Sequence, residues 1–318
     1  MIRALERVKS KDVVFLDIET VSGVKELVEG TPMHDAWSYK ARYQNEINRK
    51  TKLEFTVEEY FKEKAALYAP FGKVVCITVG RIINDEKIVL KSYYGDDEKT
   101  LLQDFNSALS TVLSKNPATV LCGLNNIGFD EPYLYKRMLI HQIKPMKLLD
   151  SSGMKPWEVG SIDLGKLFQG TSFYPDSLLA IATSFGLPSP KDGIDGSMVS
   201  EFYYDGKLQE IVYYCERDVV TTANIFRKMR FESEITDIEV KVSKEKEAPA
   251  PFLQRVYMEK SFDNATKAEI EALTKGKLED TDRKHLVDIL LSVLTVKGDK
   301  VGDKKARRLE VEEFVKLL

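Results

Sequence analysis

Apolar and polar positions change period several times along the chain, and each change marks an element. The run Asp12-Val13-Val14-Phe15-Leu16-Asp17-Ile18-Glu19-Thr20 is β-branched and aromatic, and apolar on both faces until Asp17. That pattern predicts a central strand covered on both sides. A polar, helix-leaning insertion follows, from about Val24 to Tyr68. Lys73–Gly80 and Lys87–Tyr94 read as two further strands, joined as a hairpin across Asn84-Asp85. Leu101, Leu102, Phe105, Leu109 and Val112 recur at helical spacing and predict a helix from Glu98 to Ser114. Thr119–Gly123 is a short strand, Asn125–Gly128 a turn, and Pro132–His141 a helix opened by proline. Ile162-Asp163-Leu164 opens another segment. Ser177–Phe185 reads as a helix, Pro190–Ser197 as a glycine-rich loop and Leu208–Arg230 as a long helix. Strands first, then alternating helices and strands, predict an α/β domain with a mixed sheet over residues 1–235. Residues 236–251, charged and proline-containing, read as a linker, and 252–318 as a small helical C-terminal region. Two apolar stripes mark that region: Leu286, Ile289, Leu290 and Val293, then Leu309, Val311, Phe314, Val315 and Leu318.

Composition narrows the chemistry. Of 318 residues, 43% are hydrophobic, enough for a real core, and no run approaches the ~20 apolar residues of a membrane span. With no secretory pattern at its start, the chain reads as soluble and cytoplasmic, with no membrane role. Three cysteines and three histidines are scattered, which argues against a disulfide framework or a Cys/His metal site. Any bound metal is therefore expected on carboxylates, which suit hard ions such as Mg²⁺ or Mn²⁺. The net charge of −3 does not announce a nucleic-acid partner, but a carboxylate-held ion restores positive potential locally.

Asp17 and Glu19 stand two apart on a strand, so both carboxylates project from one face. They are either a metal-holding pair or the acidic end of a strand running into solvent. Tyr214 and Asp218 stand four apart on the long helix and share a face. They read either as a phenol beside a metal-held carboxylate or as a buried tyrosine and a surface acid. Asp130, at a helix start, is either a ligand or an N-cap. Asp163 is expected to be structural. Taken in order, the acids can surround two ions about 4 Å apart, the arrangement of two-metal phosphoryl-transfer sites.

Asp17-Ile18-Glu19-Thr20, Asn125-Asn126-Ile127-Gly128-Phe129-Asp130-Glu131-Pro132-Tyr133-Leu134 and Tyr214-Cys215-Glu216-Arg217-Asp218-Val219 resemble the three exonuclease motifs of the DEDD superfamily. The Tyr-x-x-x-Asp spacing is that of its DEDDy branch. The wording is similar to the stand-alone exonucleases related to the proofreading domain of family B DNA polymerases. Over residues 10–230 the resemblance implies an RNase H-like fold with a mixed five-stranded sheet flanked by helices. It implies a 3′→5′ exonuclease with two divalent cations, Mg²⁺ or Mn²⁺. Asp17, Glu19 and Asp218 would hold the ion carrying the attacking water, Asp17 and Asp130 the second ion, and Tyr214 would position the water. Thr20, Asn125, Asn126, Phe129 and Lys191 are the expected substrate contacts, with core packing the competing role for Phe129 and a plain turn for the asparagines. Single-stranded or frayed 3′ ends are the expected substrate, DNA favoured over RNA. A DNA polymerase or another replication protein is the expected partner class, since no polymerase palm fits within residues 252–318. The alternatives are an RNA 3′→5′ exonuclease and a non-catalytic or partner-activated binding module of a replication complex. Lys304, Lys305, Arg307 and Arg308 among Glu310, Glu312 and Glu313 read as a solvated helix face or a grip on DNA.

Overall fold

The computed structural model describes residues 2–48, 55–84, 86–189, 194–241, 270, 280–294, 311 and 315. The chain divides into two compact units, Met1–Ile235 and Thr236–Leu318.

The first unit is an α/β domain. Its elements are β1 (Val13–Ser22), α1 (Pro32–Asn48), α2 (Val57–Lys64), β2 (Gly72–Ile82), β3 (Lys87–Tyr94), α3 (Glu98–Lys115), β4 (Val120–Gly123) and α4 (Asp130–Ile140). There follow β5 (Ile162–Asp163), α5 (Leu164–Gln169), α6 (Leu178–Ser184), α7 (Val199–Tyr204) and α8 (Leu208–Met229). The five strands lie in the order β5-β4-β1-β2-β3. β1, β2 and β3 are antiparallel neighbours, while β4 and β5 run parallel to β1, so the sheet is mixed as expected. The described residues contain a sixth strand, β6 (Asp237–Val240), one more than the five expected. It falls within the segment read as a linker, which therefore opens with ordered structure.

β1 is buried along its whole length, with only Asp17 partly open. Alternation splits its side chains between two layers. Val14, Leu16 and Ile18 pack with Leu102 and Phe105 of α3 and Leu134 and Met138 of α4. The opposite face meets α8: Phe15 packs edge-on against Phe226, with ring centroids 5.4 Å apart. Val21 packs there with Ile211 and Cys215. Asp17 and Glu19 share this face, so strand periodicity alone delivers both acids to α8.

Two local features shape the second half of β1. A register shift falls between Glu19 and Thr20, so Glu19 pairs with Cys76 but Thr20 with Val74. β4 pairs with Val13–Phe15 and stops, and among the described residues no strand continues beside β1 beyond Phe15 on that side.

The insertion after β1 carries its own small core, with Trp37 stacked on Tyr60 and edge-on to Phe61 and Phe71. Its α2 starts with a Thr56–Glu59 capping box. Elsewhere Glu98, at the start of α3, is buried and accepts hydrogen bonds from Val74 N (2.8 Å), Arg137 Nε (2.8 Å) and Arg137 Nη2, with His141 Nε2 at 2.8 Å. Arg137 also donates to Ala69 O at 2.8 Å. This ion pair ties α3, α4 and β2 together.

In the second unit, α9 (Asp280–Leu294) buries Leu286 and Leu290 of the expected first stripe. Val311 and Val315 of the second stripe are also buried. Leu309, Phe314, Leu318, the lysines and arginines 304–308 and the acids Glu310, Glu312 and Glu313 lie outside the described residues. No helix among the described residues is long and apolar enough to cross a membrane.

Candidate active site

The site forms where the α8-facing side of β1 meets α8 and the start of α4. Carboxylate oxygens of Asp17 and Glu19 and the thiol of Cys215 all lie within 4.8 Å of one another. Tyr214 and Asp218 come from the same face of α8, and the Tyr214 hydroxyl hydrogen-bonds the Asp218 side chain. Asp218 is 8% exposed, so it is no surface acid, and β1 does not run out into solvent beyond Glu19. Asp130 arrives from the opposite layer. It is the first residue of α4, with Phe129 at the cap position, so it is not an N-cap. Its Oδ1 accepts a hydrogen bond from Ile18 N at 3.2 Å, taking an amide that β4, by stopping short, leaves free.

The electrostatics follow from this crowding. Burial first, then the charges of Asp130 and Asp218, raise Asp17 well above the usual carboxylate range. Burial and the charges of Asp17 and Asp218 do the same to Glu19. Burial pushes Asp130 up to about 7, against the opposing pull of backbone N–H groups that include Ile18. Burial and the neighbouring carboxylates Asp218, Glu19 and Asp17 raise Tyr214, which is a neutral phenol at any physiological pH. Buried like charges that raise one another's pKa are relieved by a divalent cation, and an all-oxygen carboxylate set suits a hard one.

The other expected contacts divide. Thr20 is buried, and its Oγ1 donates to Ala66 O at 2.9 Å, which ties β1 to the end of the insertion. Asn125 is exposed, with a left-handed backbone (φ 60°), and its N–H donates to Asp163 Oδ1 at 2.9 Å. Asn126 is fully buried and its Nδ2 donates to Glu131 Oε1 at 2.7 Å, so it has no face open to a substrate. Phe129 is half-buried in the core, its ring 5.3 Å from Tyr133. Lys191 lies outside the described residues. Asp163 is structural, as expected: it caps α5 through Lys166 N (3.2 Å) besides holding Asn125.

Three residues beside the acids, Cys76, Cys215 and Glu131, went unread in the sequence. Cys215 Sγ donates to Asp17 Oδ2 at 3.3 Å and also hydrogen-bonds Cys76, so two cysteines dismissed as scattered meet beside the acids. Cys215 stands three before Asp218, the one sequence signal that it shares that helix face. Glu131 is 2% exposed beside Asp130, and its neighbour's position in the motif was the only hint.

The model of a family described as predicted 3′-5′ exonucleases related to the exonuclease domain of PolB matches residues 65–259, more than half of the chain. The chain belongs to this family. Asp130, Tyr214 and Asp218 of the exonuclease-family chain fall inside the match, and Asp17 and Glu19 precede it. Among solved structures, a family B DNA polymerase from the hyperthermophilic archaeon Pyrobaculum calidifontis is similar, at 17% identity and a TM-score of 0.43. That similarity covers 69% of this chain and 24% of the polymerase, so the chain spans about a quarter of the polymerase's length. No curated protein matches it.

Proposed function

We propose that this chain is a metal-dependent 3′→5′ exonuclease that hydrolyses the terminal phosphodiester of single-stranded or frayed DNA and releases nucleoside 5′-monophosphates. The reading rests on one observation above all: Asp17 and Glu19 share the face of β1 that Tyr214 and Asp218 of α8 approach. Asp17, Glu19, Asp130 and Asp218 are the residues that would hold two divalent cations, Mg²⁺ or Mn²⁺, whose Lewis acidity stabilises charge developing on the phosphate. The neutral Tyr214 hydroxyl, oriented by Asp218, lines up the attacking water. Asp130 is fixed by its hydrogen bond to Ile18 N and so needs no reorganisation during the reaction. The last base must leave any duplex, so mispaired ends react faster. Proofreading or repair in trans, beside a polymerase, fits such a preference.

The test is a 5′-labelled single-stranded DNA oligonucleotide incubated with wild type and Asp17→Ala, in Mg²⁺, Mn²⁺ or EDTA. A ladder shortening from the 3′ end, dependent on metal and lost in the variant, is expected. Equal ladders from the two proteins refute the site. Faster degradation of a matched RNA moves the substrate to RNA. Folded wild type inert on both strands refutes the enzyme reading in favour of a binding module.

A further inference from the structure

The segment that delivers Asp130 is pinned at several points, and the pins converge on one buried acid. After β4 the chain turns at once: a Cβ on Gly123 would lie 2.7 Å from Asn126 Cβ and 3.0 Å from Leu16 O, so only glycine fits. Asn125 then takes its left-handed conformation and accepts the N–H groups of Gly128 (3.0 Å) and Phe129 (2.9 Å). Its own N–H is held by Asp163. Glu131 N donates to Asn126 O at 3.0 Å. The Glu131 side chain closes the assembly: Oε1 accepts from Asn126 Nδ2 at 2.7 Å and Oε2 from Ser161 Oγ at 2.9 Å. One carboxylate thus joins the first turn of α4 to the preceding turn and to the strand entry before β5.

Glu131 is nearly inaccessible, and burial costs a carboxyl group more than an apolar side chain of similar size. Residues 130 and 131 are about 100° apart around the helix axis, given 3.6 residues per turn. Fixing Glu131 against Asn126 and Ser161 therefore sets the rotation of that first turn. The same rotation sends the Asp130 carboxylate toward β1 and Ile18 N. We propose that Glu131 is the positioning residue of the active site: clamped by Asn126 and Ser161, it aims Asp130 at the place it shares with Asp17. The inference rests on the exonuclease reading for its activity readout, but not for its binding readout.

Wild type, Glu131→Ala and Glu131→Gln are compared in full-length protein by two measurements. One is the Mn²⁺ concentration giving half-maximal exonuclease rate, with kcat at saturating Mn²⁺. The other is Mn²⁺ affinity by titration calorimetry. Glutamine keeps an acceptor for Ser161 and offers an amide to Asn126, whose Oδ1, buried without a partner among the described residues, can accept from it once the Asn126 amide turns over. Losing a group that orients a metal ligand typically weakens affinity or activity about 10–100-fold. Glu131→Ala is therefore expected to raise the Mn²⁺ midpoint and the calorimetric Kd by about 10-fold or more, with Glu131→Gln within about threefold of wild type. A folded Glu131→Ala protein with wild-type Mn²⁺ dependence overturns the proposal, as does Glu131→Gln losing as much as Glu131→Ala. Should Glu131→Ala fail to fold, Ser161→Ala replaces it. A shifted Mn²⁺ midpoint is then expected, and an unshifted one overturns the idea. If wild type binds Mn²⁺ but yields no products, the exonuclease reading fails alone and the calorimetric comparison still decides the positioning role. If wild type binds no Mn²⁺, both fall.

Discussion

Replacing Asp130 by asparagine should stabilise the metal-free protein. Asp130 is a buried acid whose pKa rises from an ordinary 3.8 to about 7. Each unit is worth 1.36 kcal/mol, so ionising it in the folded protein at pH 8 costs at most about 4 kcal/mol. Asparagine removes that charge, and its Oδ1 still accepts from Ile18 N. The sign follows from proton binding. Below pH 3.8 the acid is protonated in both folded and unfolded chains, and nothing is lost. Between 3.8 and about 7 the folded chain holds the extra proton, so stability falls as pH rises, and above 7 the full cost is present. In EDTA at pH 8, Asp130→Asn should melt roughly 4–12 °C above wild type, taking about 2–3 kcal/mol and 2–4 °C per kcal/mol for a unit of this size. At pH 4 the two should converge. Mn²⁺ at 100 times its Kd should add about 2.7 kcal/mol to wild type and much less to the variant. Thermal melts from pH 4 to 8.5, with EDTA and with Mn²⁺, read all three effects. A variant no more stable than wild type at pH 8, with a gap that does not change with pH, refutes the reasoning.

Three further outcomes follow from the geometry. Tyr214→Phe removes the hydroxyl that Asp218 orients, and kcat on single-stranded DNA should fall about 10²-fold while calorimetric Mn²⁺ affinity stays near wild type; a matching loss of metal affinity contradicts the role given to the phenol. Arg137→Ala strands Glu98, which burial pushes up but Arg137 and Val74 N hold below the usual range, so denaturant unfolding should show a loss of about 3–5 kcal/mol. Gly72→Ala sets a methyl 2.3 Å from the Tyr133 hydroxyl and 2.8 Å from Val21 O, and urea unfolding should register about 1–3 kcal/mol of overpacking, against no change if the strand simply shifts.

What the sequence determined by itself is whatever a local repeat decides. The two-residue spacing of Asp17 and Glu19 fixes their common face once β1 forms, and the four-residue spacing of Tyr214 and Asp218 does the same on α8. Apolar runs placed β1, β2, β3, α3 and α8 within a few residues of their observed ends. The tertiary structure decided what depends on how far neighbouring elements extend. Asp130 turns to Ile18 N rather than capping α4 because β4 ends at Gly123 and, among the described residues, no strand takes that amide. Asn126, adjacent to the exposed Asn125, is buried because Gly123 draws the turn tightly against β1. Cys76 and Cys215, 139 positions apart in the chain, meet because α8 packs across the face of the sheet on which Cys76 of β2 lies beside Glu19 of β1. No spacing in the sequence encodes those contacts, since each depends on how separate elements end, turn and pack against one another.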